Sequence, residues 1–485
     1  MTTGAISQPD FVKTAPLRGL SKELLIAAVT VAVVSLAVTD SEFLVAAVGI
    51  GLAVAAILRF EFFVYALVFL VPWYPLIDYK PPFRDVFLLS RIVLLIGVAL
   101  IRRRQKKSFY DWVAGGSLKK GVLLLAGVAT VSLLVAEERA NVDAYRMLAR
   151  LFSYMAMFFG LAGWLETRQQ VMSVVKTMLI STIGVALFGF YQVIERSYTD
   201  LYFHLYPLQE DALEPWNGRI TSLLFHFNFL AGYLNLVLPL ALACMTVARS
   251  RGLRILGLIC HTMAGAALYF TGSRGGLIAY GGMLLIAVFY LVPRRAALIK
   301  LVLSLLLAAG IVLSIQEPGA TNRLTEVDEF TRASRLALWG AAGMMFLSHP
   351  VLGVGYGNYR ALYHDYIPGT RPNELDAHNL YLQFLSETGL IGFLVFCFLV
   401  GAFTRMAFKL AGQADPYYRM MGIGLGGALA ATLIHGLADY IFNVSPQSGA
   451  LLWLVLALGW VGYEDLRRAG HVPQRELARR TGGES

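Results

Sequence analysis

The stretch Ala377–Gly389 has the sequence AHNLYLQFLSETG. It stands where a long polar segment, residues 316–376, leads into a strongly apolar run. A histidine, an asparagine, a glutamine and a glutamate lie close together in its first turns. Polar and ionisable groups at the end of a membrane helix are energetically unfavourable and often mark functional sites. The stretch therefore predicts a membrane fold with a site at the membrane surface.

The composition of the whole chain is that of a polytopic membrane protein. Of its 485 residues, 57% are hydrophobic and 15% are charged, against about 45–50% and about 25% in soluble domains. The net charge of +10 comes from short basic clusters between apolar runs. Such clusters are typical of juxtamembrane anchors and argue against nucleic-acid binding. Cys244, Cys260 and Cys397 have no paired spacing, so neither a disulfide framework nor a zinc site is predicted.

Apolar runs long enough to cross a bilayer, about 20 residues each, predict an all-α fold with about 12–14 transmembrane helices. They lie near residues 23–39, 43–58, 61–77, 86–101, 119–135, 147–165, 171–194, 223–247, 255–271, 275–292, 297–315, 379–404, 420–440 and 447–464. The dense basic loops between them, such as Arg102–Lys107, alternate onto one side, as the positive-inside rule requires. That side and both termini are predicted to be cytoplasmic.

This orientation divides the chain into consecutive segments. They are a cytoplasmic N-terminus (1–22), an N-terminal transmembrane bundle (23–194), a first outer loop (195–222), transmembrane helices with an Arg274 turn (223–315), a large outer loop (316–378), C-terminal transmembrane helices (379–464) and a cytoplasmic tail (465–485). The large outer loop is too long to be a simple turn.

Within the large outer loop, Thr331–Ser348 carries apolar residues at helical spacing. It predicts an amphipathic helix on the membrane surface or capping the bundle, with the apolar face Leu336, Trp339, Gly343, Phe346 and Leu347. The following Gly353–Gly357 predicts a flexible connection. It lacks the lysine and the preceding strand of a phosphate loop.

His378 is the first candidate for chemistry. If Asp376 is the N-cap, His378 lies in the first helical turn, where the helix dipole favours a neutral imidazole that can act as a general base. Asn379, Gln383 and Glu387 recur every four residues and form a polar face on the helix. The alternative is an interfacial histidine beside a polar helix–helix contact.

Arginines next to glycines on the outer side are candidates for phosphate binding. Arg274 lies in the tight turn TGSRGG, and Arg219 lies in NGRIT where the first outer loop re-enters the membrane. A guanidinium binds phosphate oxygens bidentately, and a neighbouring glycine lets a ligand approach. The alternative is that each arginine anchors a helix end to lipid head groups. Arg335, at the start of the amphipathic helix, is a weaker third candidate.

His435 and Asp439 lie one turn apart in an apolar span, which indicates an interior pair. The partner of Asp439 is either His435, an arginine of the site or a backbone group. No metal site is predicted, because the candidate ligands of the large outer loop have no recognised ligand spacing. These candidates are His364, Asp365, Glu374, Asp376 and His378. No nucleophile elbow of a hydrolase is present.

The segments HNLYL (378–382) and ETGLIG (387–392) resemble the signature of the O-antigen ligase and polymerase superfamily. Other pieces that resemble this family are Arg335–Trp339 followed by His349–Gly357, the turn Ser273–Gly276, Arg219 with Asn228 and Tyr233, and the late pair His435 and Asp439. The resemblance covers about residues 215–445, while the N-terminal spans are similar in hydropathy only. The predicted span count is slightly above that typical of the ligases.

The resemblance implies an inverting, metal-independent glycosyltransferase of the bacterial inner membrane with its site facing the periplasm. The donor would be a glycan on undecaprenyl diphosphate, and the acceptor a sugar hydroxyl on lipid A-core or on another lipid-linked glycan. No cofactor is implied. His378 would be the catalytic base, and Arg219 and Arg274 would bind the diphosphate. Supporting roles would fall to Arg335, Asn379, Glu387, His435 and Asp439. Membrane lipids, a chain-length regulator and a flippase are the expected partners.

A flippase or transporter of lipid-linked glycans is the main alternative. It predicts charges along many spans and no large outer loop, whereas this chain concentrates its charges outside the spans. If the protein is a glycosyltransferase, the span count and the long outer loop favour a polymerase slightly over a ligase.

Overall fold

This computed structural model describes residues 59–74, 86–136, 142–195, 219–224, 226–291, 329–367 and 376–471. The predicted spans near 23–39, 43–58 and 297–315 lie outside them, as do the N-terminus 1–22 and most of the first outer loop.

All regular structure in the described residues is helical. In chain order the helices are α1 (Phe60–Leu70), α2 (Val86–Arg104), α3 (Phe109–Val113), α4 (Ser117–Leu134), α5 (Val142–Trp164), α6 (Arg168–Glu195), α7 (Phe227–Val247), α8 (Arg251–Phe270), α9 (Arg274–Leu291), α10 (Glu329–Ser348), α11 (Tyr359–Tyr366), α12 (Leu380–Ala411), α13 (Pro416–His435), α14 (Ile441–Val444) and α15 (Pro446–His471).

Seven of the described helices are long and apolar enough to cross a membrane: α4, α5, α6, α7, α8, α12 and α15. The helix α1 and the first part of α9 are shorter and also apolar. These helices confirm the prediction of an all-α polytopic membrane protein.

The bundle is built around α7, the most deeply buried of the seven spans. It packs against α8 and α13, and α13 in turn packs against α9 and α12. Glycines let α13 approach α7 closely: a methyl group added at Gly427 would lie 2.5 Å from Cβ of Pro239, and one at Gly424 would lie 2.8 Å from Leu240 Cδ1. Small residues at such contacts allow helix backbones to pack tightly within a membrane.

The helices α10 and α11 form a second, smaller core at the N-terminal end of α12. Leu338, Ala341 and Met345 of α10 pack against Tyr359 and Tyr363 of α11. The Tyr359 hydroxyl also donates a hydrogen bond to the Leu338 carbonyl at 2.8 Å. This layer of α10 and α11 covers the end of the bundle at which α12 begins.

The helix predicted at 331–348 is present as α10, and the face that it packs against α11 is not the predicted apolar face. Leu336 and Leu347 are 57% and 77% exposed. Apolar side chains surround most of α10, so spacing alone does not choose the buried side. The choice is made by α11, whose tyrosines cover the opposite face.

The loop Gly353–Gly357, predicted to be a flexible connection, is instead buried against α12. The N–H of Val354 donates to the Ser386 carbonyl at 2.9 Å, and that of Gly355 to the Glu387 carbonyl at 3.2 Å. These carbonyls are available because α12 kinks at Gly389, which has φ 60° and ψ −165°. The kink replaces two helical hydrogen bonds with contacts to the outer loop.

Replacing Gly389 with alanine is expected to lower the free energy of unfolding by about 2–4 kcal/mol. The position has a positive φ, and an added Cβ would lie 2.4 Å from the carbonyl group of Val351. The thermal unfolding midpoint of purified protein in detergent measures the effect. Gly401→Ala is the matched control in the same helix, since a Cβ there meets nothing within 4 Å. Equal midpoints for the two variants would contradict the kink.

Candidate active site

The loop before α12 holds His378 outside the helix. Asn379 is the N-cap, and its side-chain oxygen accepts hydrogen bonds from the N–H groups of Tyr381 and Leu382 at 3.0 and 3.1 Å. The prediction that Asp376 caps the helix, with His378 in the first turn, is therefore wrong. Asp376 instead accepts a 2.7 Å bond from the His378 N–H. Aspartate and asparagine both cap well, so the sequence did not choose between them.

His378 adopts a left-handed backbone conformation, with φ 47°. A non-glycine residue in this region is strained and is retained when surrounding contacts hold it there. The contacts at Asp376 and the cap at Asn379 supply that constraint. Its side chain is 27% exposed, so the ring remains accessible from outside the bundle.

The ring of His378 is oriented by a buried carboxylate. His378 Nδ1 lies 3.2 Å from Oδ1 of Asp439, which also accepts a 2.9 Å bond from the Tyr440 N–H. Asn228 donates to the other carboxylate oxygen at 2.7 Å. An ionised carboxylate can only accept hydrogen bonds, so Nδ1 carries the proton and Nε2 keeps its lone pair. This is the arrangement of a general base.

Asp439 stays ionised in this environment. Burial opposes the charge, but hydrogen bonds from His378, Asn228 and the Tyr440 N–H to its two oxygens favour the ionised form. Within the described residues, its side-chain bonds go to His378, Asn228 and Tyr440. The hydrogen-bond partner is thus not His435, one of the alternatives that the sequence left open.

The two arginine segments predicted from sequence lie side by side. The Ile220 N–H donates to the Phe270 carbonyl at 3.2 Å, which fixes the residue after Arg219 to the end of α8. Gly272 has φ 60°, and a Cβ added there would lie 3.2 Å from Nε of Arg219. The guanidinium of Arg219 stacks 4.4 Å above the ring of Phe227. Arg219 is therefore packed over the turn that leads into Arg274.

Polar contacts link this turn to the histidine. Ser273 Oγ donates to the side-chain oxygen of Asn228 at 2.7 Å, and Asn228 donates to Asp439. A methyl group added at Gly275 would lie 3.1 Å from Cδ2 of His435. The start of α9, the start of α7 and the segment after α13 thus meet at one point. His378 joins them through Asp439.

Arg335 brings a third positive charge to this point. Its charge acts electrostatically on Arg274, His226 and His435, so Arg335 of α10 lies in the neighbourhood of the arginine turn. The site thus combines the His378–Asp439 pair with nearby guanidinium groups.

Asn379 and Glu387, which were predicted to share a polar face of α12, contact different parts of the structure. The Asn379 side chain donates to the Leu437 carbonyl at 3.1 Å and so joins the start of α12 to the Asp439 segment. Glu387 is buried and accepts hydrogen bonds from Gln383 at 2.8 Å and from the Tyr359 N–H at 3.3 Å. Glu387 therefore connects α11 to α12 through hydrogen bonds, and Asn379 positions the loop that carries His378.

The structure adds His226, which sequence reasoning missed. It is the N-cap of α7, and its Nδ1 accepts a 3.1 Å bond from the Asn228 N–H. Burial lowers the pKa of His226 to about 4, so the ring is neutral and holds Asn228 in place. Its position just before an apolar span was the available signal. Tyr233, in contrast, hydrogen-bonds Thr182 inside the bundle and contributes to packing.

Asp376, His378 and Asp439 offer ligand atoms that lie within 4.8 Å of one another, close enough for a metal ion. Asp376 Oδ1 accepts a hydrogen bond from the His378 N–H, and Asp439 Oδ1 accepts bonds from His378 and Tyr440. An ion held by His378 Nδ1 and Asp439 would replace the hydrogen bond between these two side chains.

An apolar cavity opens beside the site, between α4, α5, α12, α13 and α15. Leu380 and Tyr440 line it, and they directly follow Asn379 and Asp439 in the chain. Phe384, Phe396 and Trp453 form other parts of its wall. An apolar chain can therefore lie next to the polar groups of the site.

Fold and site define a polytopic helical membrane protein with a histidine–aspartate pair and clustered arginines at one end of its bundle. Residues 256–397 match the family described as O-antigen ligase. The matched segment includes Arg274, Arg335 and His378, and it supports the resemblance to the O-antigen ligase and polymerase superfamily that the sequence motifs predicted. A comparison with curated proteins found no match.

Proposed function

We propose that this protein is a glycosyltransferase that moves a glycan from undecaprenyl diphosphate to an acceptor sugar hydroxyl on the periplasmic face of the bacterial inner membrane. The observation that carries the proposal is the contact of the partly exposed His378 with the buried Asp439, which is itself linked through Asn228 to Ser273 of the arginine turn. The match to the O-antigen ligase family supports glycan processing in general.

In the proposed reaction, His378 takes the proton of the acceptor hydroxyl on Nε2. The acceptor oxygen then bonds to the anomeric carbon of the donor glycan. The bond between that carbon and the diphosphate oxygen breaks, and its electron pair leaves with the diphosphate. Attack opposite the leaving group inverts the anomeric configuration. Asp439 stabilises the imidazolium that forms, as a buried carboxylate does in other base-catalysed sites.

The guanidinium groups stabilise the charge that develops on the departing diphosphate. Arg219 and Arg274 are positioned by the turn at Gly272, and Arg335 adds charge from α10. Preformed donors aimed at a developing charge give a large part of catalysis. With these cations present, the proposed reaction needs no metal ion. The apolar cavity at Leu380 and Tyr440 would accept part of the prenyl chain.

Arg274→Ala is expected to reduce the transfer rate by about 10²-fold, because one donor to the leaving diphosphate is lost. Arg274→Lys should be impaired to a lesser degree, since an ammonium cannot reproduce the bidentate fork. Initial rates with purified protein measure both. Arg360→Ala, on the exposed face of α11, is the matched control and should stay within about twofold of the parent. A fully active Arg274→Ala would remove this arginine from the mechanism.

The proposed function is tested with purified protein in detergent, an undecaprenyl diphosphate-linked glycan and a chelator. One reaction contains lipid A-core and the other only more donor. A ladder of lengthening glycan from donor alone would identify a polymerase, and a single shift of lipid A-core a ligase. Bound donor without product in either reaction would favour the transporter. Activity that disappears with chelator and returns with a divalent ion would contradict metal independence.

A further inference from the structure

A polar cavity of about 440 Å³ lies at the end of the bundle opposite the candidate active site. Its walls come from the ends of α2, α5 and α15, from α3 and from the start of α4. The helix α15 begins at Pro446 near the site and reaches the cavity at Glu464, about 27 Å further along at 1.5 Å per residue. The basic cluster Arg102–Lys107 lies at this end, which is predicted to be cytoplasmic.

The carboxylates of the cavity are largely neutralised by neighbours. Glu166 pairs with Lys107, Asp465 with Arg168 and Glu464 with Arg467. Three cations of the wall have no ion-pair partner among the described residues: Arg102, Lys119 and Arg468. The wall as a whole contains four basic and four acidic side chains, and Arg168 outside it is shared between Asp465 and Asp415. What favours an anion is therefore the three cations without an ion-pair partner, and not the net charge of the wall.

Several hydrogen-bond donors at this cavity lack an acceptor. Lys119 is only 7% exposed, and its ammonium donates one 3.3 Å bond, to the Asp111 carbonyl. Nε of Arg102 is buried and makes no hydrogen bond within the described part of the chain. The helix α4 begins after Gly116 without a side-chain cap, so its first N–H groups also point outward. Buried donors without acceptors are unfavourable, and an anion would satisfy them together.

We propose that this cavity binds a phosphate group. Arginine, lysine and a helix N-terminus together are a recurrent phosphate-binding combination. Basic pockets between membrane helices at the cytoplasmic side also bind anionic lipid head groups. Trp112 and Trp460 line the cavity, and tryptophan is enriched at the membrane–water interface. The phosphate comes either from a phospholipid head group or from solution. The site is separate from the proposed glycan transfer and does not depend on it.

The test uses the full-length protein purified in detergent and measures binding, not transfer. In one arm inorganic phosphate is titrated at constant ionic strength against chloride, and the thermal unfolding midpoint is followed. In the other arm, phosphatidylglycerol or phosphatidylcholine is added in mixed micelles, and bound lipid is counted by native mass spectrometry. The variants are Arg102→Gln and Lys119→Gln. Arg103→Gln, an exposed neighbour outside the cavity wall, is the matched control.

The expected result is saturable binding that Arg102→Gln weakens about tenfold or more and that Arg103→Gln changes by no more than about twofold. Stabilisation by inorganic phosphate would identify a soluble ligand, and selective retention of phosphatidylglycerol a lipid head group. Because Arg102 is partly exposed, the Arg102→Gln variant is expected to fold, and it still tests the proposal if Lys119→Gln does not fold. The proposal is overturned if neither ligand binds, or if Arg103→Gln weakens binding as much as Arg102→Gln.

Discussion

Replacing His378 with alanine is expected to lower glycan transfer by about 10³–10⁴-fold, because the acceptor hydroxyl then keeps its proton as it attacks. The substitution leaves the arginines and the apolar cavity at Leu380 and Tyr440 unchanged, so binding of the lipid-linked donor should persist. Initial rates with purified protein report the first effect, and retention of labelled donor reports the second. A variant that lost donor binding as well would indicate collapse of the site.

Two further variants separate the chemistry of His378 from its backbone. Alanine is strained at φ 47°, whereas asparagine tolerates the left-handed region well. His378→Asn should therefore fold like the parent and still lack a base. His349→Ala removes another histidine of the outer loop, one that bonds Ser348, and should be nearly neutral. If His378→Asn kept more than about a tenth of the parent rate, His378 would not be the base.

The membrane helices were predictable because their signal is local. The span predicted at 223–247 is the helix Phe227–Val247, and the span at 447–464 lies within Pro446–His471. Predicting each of these helices requires only a run of apolar residues and a polar boundary, and both can be seen in the sequence. Errors of a few residues at the ends are usual for helices.

The arrangement around His378 was less predictable because it depends on alternatives that are equal locally. Asp376 and Asn379 are both good caps, and the choice depends on Asn379 also bonding the Leu437 carbonyl, far along the chain. The same holds for α10, whose buried side is selected by Tyr359 and Tyr363. Such long-range contacts leave no periodic trace in the sequence.

The residues that organise the site could be named from sequence, but their connections could not. Asp439 was recognised as an intramembrane acid with an unknown partner. The structure connects it to Asn228 and through Asn228 to Ser273. These residues come from three separate helix ends, and no spacing rule relates them. His226 was missed because a histidine before an apolar run usually indicates only a helix boundary.

Asp439→Asn is expected to lower the transfer rate by about 10³-fold, close to the effect of losing His378 itself. An amide has one acceptor oxygen, whereas the carboxylate accepts bonds from His378, Tyr440 and Asn228. If the amide oxygen faces His378, its NH₂ group opposes the NH₂ group of Asn228, and no charge remains to stabilise the imidazolium. If the amide turns, His378 loses its acceptor and the wrong ring nitrogen carries the proton.

The double variant distinguishes this positioning role from a general loss of structure. In a His378→Asn background, Asp439→Asn should reduce the remaining rate very little, since residues that act as one unit are strongly non-additive. Asp365→Asn, an exposed carboxylate on α11, is the matched control and should keep the parent rate. Fully additive losses would mean that Asp439 acts apart from His378, for instance by holding Asn228 and the arginine turn in place.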